Sequence, residues 1–240
     1  MRIVTVAAAA VLAVLAGLLV VRVNADVRAA AEVHPAPVAA TAAVGTRPML
    51  GVIGDSFAAG TVIGGAGGTG FPMMIADRVG WRWGTTAVGG TGYVAHPAGT
   101  LPYEAEQVER MVAAQPAVLV VEGSQNDGSA APAAVGTAAD AMFARLEREL
   151  PRTRIVVVGP VASNSRQAAA LAGVDAAVGS SARRAGLPYV DALAEGWFTD
   201  AQAALIGSDH IHPTTAGHAR IADLLGADLA RLGVLPPART

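Results

Sequence analysis

The 240-residue sequence contains no cysteine and no lysine. Without cysteine, the chain has no disulfide bond, no thiolate ligand for zinc and no cysteine nucleophile. Every basic side chain is an arginine, and the 17 arginines are outnumbered by 19 aspartates and glutamates, so the formal net charge is −2. Because this balance creates no positive field that attracts nucleic acid, we expect no nucleic-acid partner.

Charged and aromatic residues are also scarce, at 15% and 4% of the chain, whereas hydrophobic residues make up 52%. A chain this apolar can bury a large core, which excludes disorder along its whole length. Its length suits one domain with an N-terminal extension.

The N-terminal extension begins with an uncharged apolar run, residues 3–21, between Arg2 and Arg22. The run matches the roughly 20 apolar residues of a membrane-spanning helix, and it exceeds the 7–15 or so residues usual in a signal peptide. Small residues near Ala25 nevertheless suit signal cleavage. A buried core helix is the third reading, but the run has no polar face and lies at the terminus.

We therefore expect residues 1–23 to be a signal peptide or an N-terminal membrane anchor. Either outcome makes the protein extracytoplasmic, secreted or anchored, with membrane association through residues 3–21 in the anchored case. Residues 24–47 are rich in alanine, proline and valine, which is typical of a linker. The folded domain is then expected at residues 48–235.

Within this domain, short apolar runs alternate with helical stretches. Strands are predicted at residues 49–53, 81–88, 117–121, 154–158 and 187–190, and helices at 71–79, 101–114, 132–150, 165–184 and 214–232. This alternation predicts an α/β fold whose parallel sheet is covered by helices on both faces. Active sites of such sheets lie beyond the carboxyl ends of the strands, so the residues that follow each strand matter most.

Four polar or glycine-rich motifs lie at these strand ends. They are Gly54-Asp55-Ser56 after the first strand, AVGGTGY at residues 87–93, EGSQNDG at residues 122–128, and SDHIHPTTAGH at residues 208–218 before the last helix. Each motif alone is more typical of an ordinary turn or loop. Their joint occurrence, in order and each after a predicted strand, favours one shared site.

Together these motifs contain the parts of an acyl-transfer site. Ser56 is the candidate nucleophile, His212 its general base, and Asp209 the carboxylate that orients the imidazole from three residues away. The developing oxyanion needs donors fixed in advance, for which the Ser56 and Gly90 amides and the Asn126 side chain are the candidates. A metal site built from Asp209, His210 and His212 is the competing interpretation, although the triad uses the same residues better.

With these motifs the sequence resembles the SGNH (GDSL) hydrolase family, whose four marker residues fall here on Ser56, Gly90, Asn126 and His212. The resemblance spans residues 50–230 or so. It implies a flavodoxin-like, three-layer α/β/α sandwich with a five-stranded parallel sheet, and esterase or lipase activity without a metal or organic cofactor. No Gly-x-Ser-x-Gly motif is present, which argues against the other common class of serine hydrolases.

The sequence departs from the family pattern at the third motif, where Ser124 occupies the usual glycine position. Gly89 also competes with Gly90 for the oxyanion role. Asp127 is expected to organise its loop. His210 and His218 are expected to be a loop residue and a helix-surface residue.

The resemblance predicts a serine esterase that acts through an acyl-enzyme on a small-molecule, glycan or lipid ester, such as lipid or cell-envelope carbohydrate esters. Two alternatives remain open. One is an O-acyltransferase that uses the same site, and the other is a catalytically inactive envelope-binding module that keeps the fold.

Overall fold

The computed structural model describes residues 47–237, in which strands and helices alternate. The strands are β1 (Met49–Ile53), β2 (Arg82–Thr85), β3 (Val118–Glu122), β4 (Arg154–Val158) and β5 (Tyr189–Val190). The α-helices of this part are α1 (Ser56–Ala59), α2 (Phe71–Val79), α3 (Glu106–Ala114), α4 (Pro132–Glu149), α5 (Ser165–Arg184) and α6 (Thr215–Arg231). Short 3-10 helices lie at Ala66–Gly68, Gln125–Ser129 and Asp200–Leu205.

The expected signal peptide or anchor at residues 1–23 lies outside the described residues, as does the expected linker up to residue 46. The assignment of residues 48–235 to one domain therefore stays a prediction. Across residues 47–237, no helix combines the length and the apolar character needed to cross a membrane.

The five strands form one parallel sheet in the order β2-β1-β3-β4-β5. After β1 the chain moves outward to β2 and then returns to the other side of β1 to form β3. The carboxyl ends of β1 and β3 therefore flank the point where the strand order reverses, which is where ligands bind in open α/β sheets. Ser56 follows β1 directly, and Asn126 follows β3.

Helices cover both faces of the sheet, so the predicted three-layer sandwich is confirmed. Successive strand residues point to opposite faces. Val52 and Val120 pack on the face covered by α2 and α6, whereas Ile53 and Val121 pack on the face covered by α3, α4 and α5. Because the central strands are buried on both sides, they are continuously apolar, and this pattern made them recognisable in the sequence.

Strand β2 is shorter than predicted, because it ends at Thr85 rather than at residue 88. The Thr85 hydroxyl donates to the Val52 carbonyl at 3.0 Å and accepts the Ala87 amide at 3.1 Å. The backbone beyond Thr85 stays bonded to the chain at β1, because the Thr86 and Val88 amides donate to the Val52 and Gly54 carbonyls at 3.1 and 3.2 Å, and it leads directly into the second motif.

Helix α3 likewise begins at Glu106 rather than at residue 101. The Tyr103 amide donates to the Gly92 carbonyl at 2.9 Å, and the Ala105 amide donates to Pro102. The preceding residues are therefore held as turns against the second motif, with the Tyr103 ring fully buried.

Candidate active site

Ser56 is the first residue of α1, directly after the end of β1. Asp55 caps this helix, because its carboxylate accepts the Phe57 amide at 2.8 Å. Gly54 is required by close packing, since a Cβ there would lie 2.7 Å from the Glu122 carboxyl oxygen Oε2. Gly54 allows this close packing and Asp55 caps α1. Together these two residues hold Ser56 at the carboxyl edge of the sheet.

Asp209 and His212 lie on a single turn before α6. One carboxylate oxygen of Asp209 accepts the backbone amides of Ile211 and His212, each at 3.0 Å. The other oxygen accepts Nδ1 of the His212 ring at 2.7 Å. The spacing of three residues is therefore what allows this carboxylate to fold back onto its own imidazole.

The His212 ring also contacts Ser56, the candidate nucleophile, with Nε2 placed 2.9 Å from the Ser56 Oγ. Partial burial pushes the pKa of Asp209 upward, but hydrogen bonds from the Ile211 amide and from His212 outweigh it and lower this pKa below its usual value. An ionised carboxylate only accepts hydrogen bonds, so Nδ1 carries the proton and Nε2 is free to accept one from Ser56. The three side chains form a continuous Ser–His–Asp relay.

The structure also brings the expected oxyanion donors to this edge. Within residues 47–237, no acceptor is paired with the backbone amide of Ser56 or of Gly90. The Asn126 side-chain nitrogen donates to the Thr91 carbonyl at 2.9 Å and to the Asp55 carboxyl at 3.2 Å. Both of its hydrogens are thus engaged in this state.

The two glycines of the second motif play different structural roles. Gly90 has a φ of 77°, and a Cβ there would lie 2.7 Å from Pro97, so a larger residue would be strained. A Cβ on Gly89 would instead lie 3.6 Å from the Ser56 Cβ, in ordinary contact. The positive φ of the turn therefore requires glycine at position 90, whereas Gly89 leaves free space beside Ser56.

Asp127 organises its loop, as the sequence indicated. Its buried carboxylate accepts the backbone amides of Tyr93, Val94 and Ala95 at 2.8, 3.1 and 2.8 Å. This contact joins the loop after β3 to the loop that contains Gly90. Asp127 therefore helps to fix the relative position of the two loops with three hydrogen bonds.

Ser124, the departure from the family pattern, contributes to the same connection. Its hydroxyl donates to the Thr91 carbonyl at 3.2 Å and accepts the Asn126 amide at 3.0 Å. Ser124 thus connects the backbone of Asn126 to Thr91 in the loop that contains Gly90.

Two buried side chains beside the site were not singled out from the sequence. Gln107 of α3 accepts the Gly54 amide at 3.1 Å and donates to the Thr91 hydroxyl at 2.9 Å, so it links the first motif to the second. Glu122, the last residue of β3, lies behind Gly54 and is 1% exposed. No sequence pattern marks either residue, because a polar residue in a helix or at a strand end is usually exposed.

The acids behind Ser56 carry shifted pKa values. Burial raises the pKa of Asp55 to about 7, against the opposing effect of the Phe57 and Gln125 amides. Burial, followed by the nearby Asp55 carboxyl, raises the pKa of Glu122 well above its usual range. Glu122 Oε2 has no hydrogen-bond partner among the described residues. A protonated Glu122 is therefore the favoured form at neutral pH.

Replacing Glu122 with glutamine is expected to stabilise the fold at alkaline pH. Because the folded-state pKa of Glu122 is raised, its carboxyl costs no ionisation energy below its unfolded pKa, and folding stability falls as the pH rises above that value. Glutamine cannot ionise. We expect the unfolding free energy of Glu122→Gln minus that of wild type to be larger at pH 8 than at pH 5 by about 1 kcal/mol or more, measured by urea unfolding.

The matched control for this prediction is Glu147→Gln, since Glu147 is exposed on α4. Its stability difference from wild type is expected to stay the same at both pH values. An equal difference at pH 5 and pH 8 for Glu122→Gln would show that Glu122 is not held protonated.

His218 corrects a prediction, because it is buried rather than on the helix surface, at 1% exposure. Its ring accepts the Phe71 amide at Nδ1, at 3.4 Å, and Nε2 lies 3.2 Å from the Gly64 carbonyl. Burial lowers its pKa to about 4, so the ring is neutral. It holds the glycine-rich segment after α1 in place; a Cβ on Gly65 would lie 2.5 Å from this ring.

His210 is an exposed loop residue with a φ of 59°, as a loop position implies. In the part of the chain that the structure covers, no group of three or more histidine and acidic side chains is arranged to hold a metal ion. Asp209 and His212 instead bond to each other and to Ser56.

The sequence is also similar to those of known proteins. Residues 52–220 match the model of the GDSL-like lipase/acylhydrolase family. A GDSL lipase of Mycobacterium tuberculosis is 30% identical over 182 residues, which cover 72% of this chain and 78% of that protein.

Two solved structures share the fold. A phospholipase A1 from Streptomyces albidoflavus has a TM-score of 0.57 at 14% identity, covering 76% of this chain and 99% of that one. A family two carbohydrate esterase from Clostridium thermocellum has a TM-score of 0.60 at 18% identity, covering 80% and 67%. The family match over most of the domain is decisive: this chain belongs to the GDSL-like lipase/acylhydrolase family and is an ester hydrolase of the SGNH type.

Proposed function

We propose that the protein is a serine esterase that hydrolyses acyl esters through an acyl-enzyme intermediate. The observation that carries the proposal is the continuous relay from Ser56 through His212 to Asp209, with distances of 2.9 and 2.7 Å. Ser56 Oγ attacks the ester carbonyl carbon while its proton passes to His212 Nε2. The ionised Asp209 stabilises the imidazolium that forms.

The remaining steps, departure of the alcohol and hydrolysis of the acyl-enzyme, use the same groups. The imidazolium returns the proton to the leaving alcohol, and the acyl group stays on Ser56. A water molecule, deprotonated by His212, then attacks the acyl-enzyme, and the acid and the free serine are released. No metal or organic cofactor enters these steps.

The oxyanion of each tetrahedral intermediate is proposed to bind the amides of Ser56 and Gly90 and the Asn126 side chain. The two amides are free to donate, whereas Asn126 must exchange one of its existing bonds. The bond to Asp55 is the longer of the two, at 3.2 Å, so it is the one that an oxyanion would replace. A neutral Asp55 favours this exchange, because it places no second negative charge there.

Acyl esters of lipids or of cell-envelope carbohydrates are the proposed substrates. Two comparisons support this proposal, since the mycobacterial relative is named a lipase and the clostridial neighbour a carbohydrate esterase. Within the described residues, the exposed large hydrophobic side chains are Val62, Leu101 and Ile211. Leu101 and Ile211 lie in the segments that follow β2 and β5, and Val62 lies in the turn after α1; an acyl chain is proposed to contact these side chains. The apolar run at residues 3–21 supports an extracytoplasmic location.

The test of the proposal is turnover by the purified full-length protein of p-nitrophenyl acetate, butyrate and longer esters. We expect hydrolysis, together with labelling by a fluorophosphonate that intact-mass and peptide analysis assign to Ser56. Adding an alcohol or sugar acceptor distinguishes the transferase, which would yield acylated acceptor in place of free acid. Neither turnover nor labelling would favour the inactive binding module.

A further inference from the structure

One side chain in the first turn of α5 bonds to a neighbouring loop and to the loop that contains Asn126. Gln167 Oε1 accepts the backbone amide of Ser163 at 2.6 Å, and the Ser163 Oγ lies 2.7 Å from the same oxygen. Gln167 Nε2 donates to the side-chain oxygen of Gln125 at 2.6 Å. The loop after β4 is thereby joined to the loop after β3, which contains Asn126.

The orientation of these amides follows from one fixed donor. The Ser163 backbone amide can only donate, so Gln167 must turn Oε1 toward it. The nitrogen Nε2 then faces Gln125, which must present its own oxygen. The side-chain amides of Gln167 and Gln125 therefore have one orientation each, with a defined donor and acceptor between them.

The bridge continues to the loop that contains the acid–base pair. The buried Ser163 Oγ lies 3.0 Å from the His210 carbonyl, and its single hydrogen donates either to this carbonyl or to Gln167 Oε1. His210 directly follows Asp209 and precedes His212 by two residues. Gln167 is the centre of a chain of contacts whose two ends lie next to Asn126 and next to the Asp209–His212 turn.

This placement matters because the two ends must keep a fixed separation. Asn126 is proposed to hold the oxyanion, and His212 must accept the Ser56 proton in the same step. A displacement of about 1 Å between reacting groups can lower a rate about 100-fold. On the other side, Asn126 is already held by Ser124 and Thr91. Gln167 bonds to Gln125, the residue before Asn126, and so connects the Asn126 loop to the loop that contains His212.

We propose that Gln167 is a positioning residue, which sets the distance between the oxyanion donor Asn126 and the base His212 through Gln125 and Ser163. The inference rests on the proposed function, since it assigns Gln167 to that reaction. It predicts an effect on kcat rather than on KM, because Gln167 acts on the arrangement of the reacting groups and not on ground-state binding.

The test is Gln167→Met in the full-length protein, which keeps the length of the side chain and removes its hydrogen bonds to Ser163 and Gln125. With p-nitrophenyl acetate, we expect kcat to fall about 10- to 100-fold while KM stays within about two-fold. The rate of fluorophosphonate labelling at Ser56 should fall in parallel. The matched control is Arg166→Met, at the exposed neighbouring position on the same helical turn, with kcat as in wild type.

Gln167→Glu tests the hydrogen bonds themselves. Its carboxylate still accepts from Ser163, and the Gln125 amide can rotate so that its nitrogen donates to the new oxygen. We expect kcat within about three-fold of wild type, well above that of Gln167→Met. If Gln167→Met does not fold, Gln125→Met breaks the bridge at its other end and replaces it in the comparison.

A wild-type kcat for Gln167→Met, in protein shown to be folded by circular dichroism, would overturn the inference. A rise in KM alone, or no recovery in Gln167→Glu, would also overturn it. Ser56→Ala separates this failure from failure of the proposed function. Wild-type turnover that persists in Ser56→Ala would contradict the esterase mechanism itself.

Discussion

Replacing Ser56 with alanine is expected to lower kcat for p-nitrophenyl acetate by about 10⁴-fold or more. The substitution removes the proposed attacking atom, the Ser56 Oγ, which lies 2.9 Å from His212 Nε2 beyond the end of β1. The loss should appear in kcat, because the missing hydroxyl forms a bond in the reaction rather than in substrate binding. Initial rates with saturating substrate measure it directly.

The control for this prediction is Ser165→Ala. Ser165 is an exposed serine at the start of α5, outside the relay. This variant is expected to hydrolyse the ester at the wild-type rate. Circular dichroism must show that Ser56→Ala keeps its fold. Full activity in folded Ser56→Ala protein would remove Ser56 as the nucleophile.

Replacing Asp209 with asparagine is expected to lower kcat by about 10³- to 10⁴-fold. The asparagine oxygen can still accept the Ile211 and His212 amides, so the turn should persist. Its NH₂ group, however, then faces His212 Nδ1 and selects the tautomer with the proton on Nε2. That nitrogen can no longer accept a proton from Ser56. Measurement of kcat across the pH range, in wild type and variant, tests this expectation.

Asp223→Asn serves as the comparison for Asp209→Asn. Asp223 is an exposed carboxylate of α6 that pairs with Arg78, so its loss is expected to leave kcat unchanged. A kcat within ten-fold of wild type for Asp209→Asn would mean that a group other than Asp209 sets the tautomer of His212.

The fold was predictable from the sequence because its central strands are buried on both faces. A strand such as β1 has to be apolar at every position, and its length then separates it from a helix. The Asp209–His212 pair was predictable for a different reason: both residues lie on one turn, so their contact depends on local spacing alone. Ser56 could be linked to them only through the rule on strand ends.

Other parts of the site depend on tertiary neighbours and left no pattern in the sequence. Glu122 is a polar residue at the end of a strand, and only the approach of Gly54 and Asp55 makes it a buried acid. Gln107 and Gln167 lie on amphipathic helices, where a glutamine usually faces water. His218 was placed on the helix surface for the same reason, because the sequence does not reveal the glycine-rich segment that covers it.

The raised pKa values of Asp55 and Glu122 also couple folding to the binding of protons. Near pH 6, Asp55 holds a proton in the folded protein, because its pKa is raised to about 7, and it releases this proton once the chain unfolds into water; the raised pKa of Glu122 acts in the same direction. His218 acts in the opposite direction below its unfolded pKa, but this contribution fades by pH 7. The calorimetric heat of unfolding at neutral pH therefore contains the ionisation enthalpy of the buffer that takes up those protons.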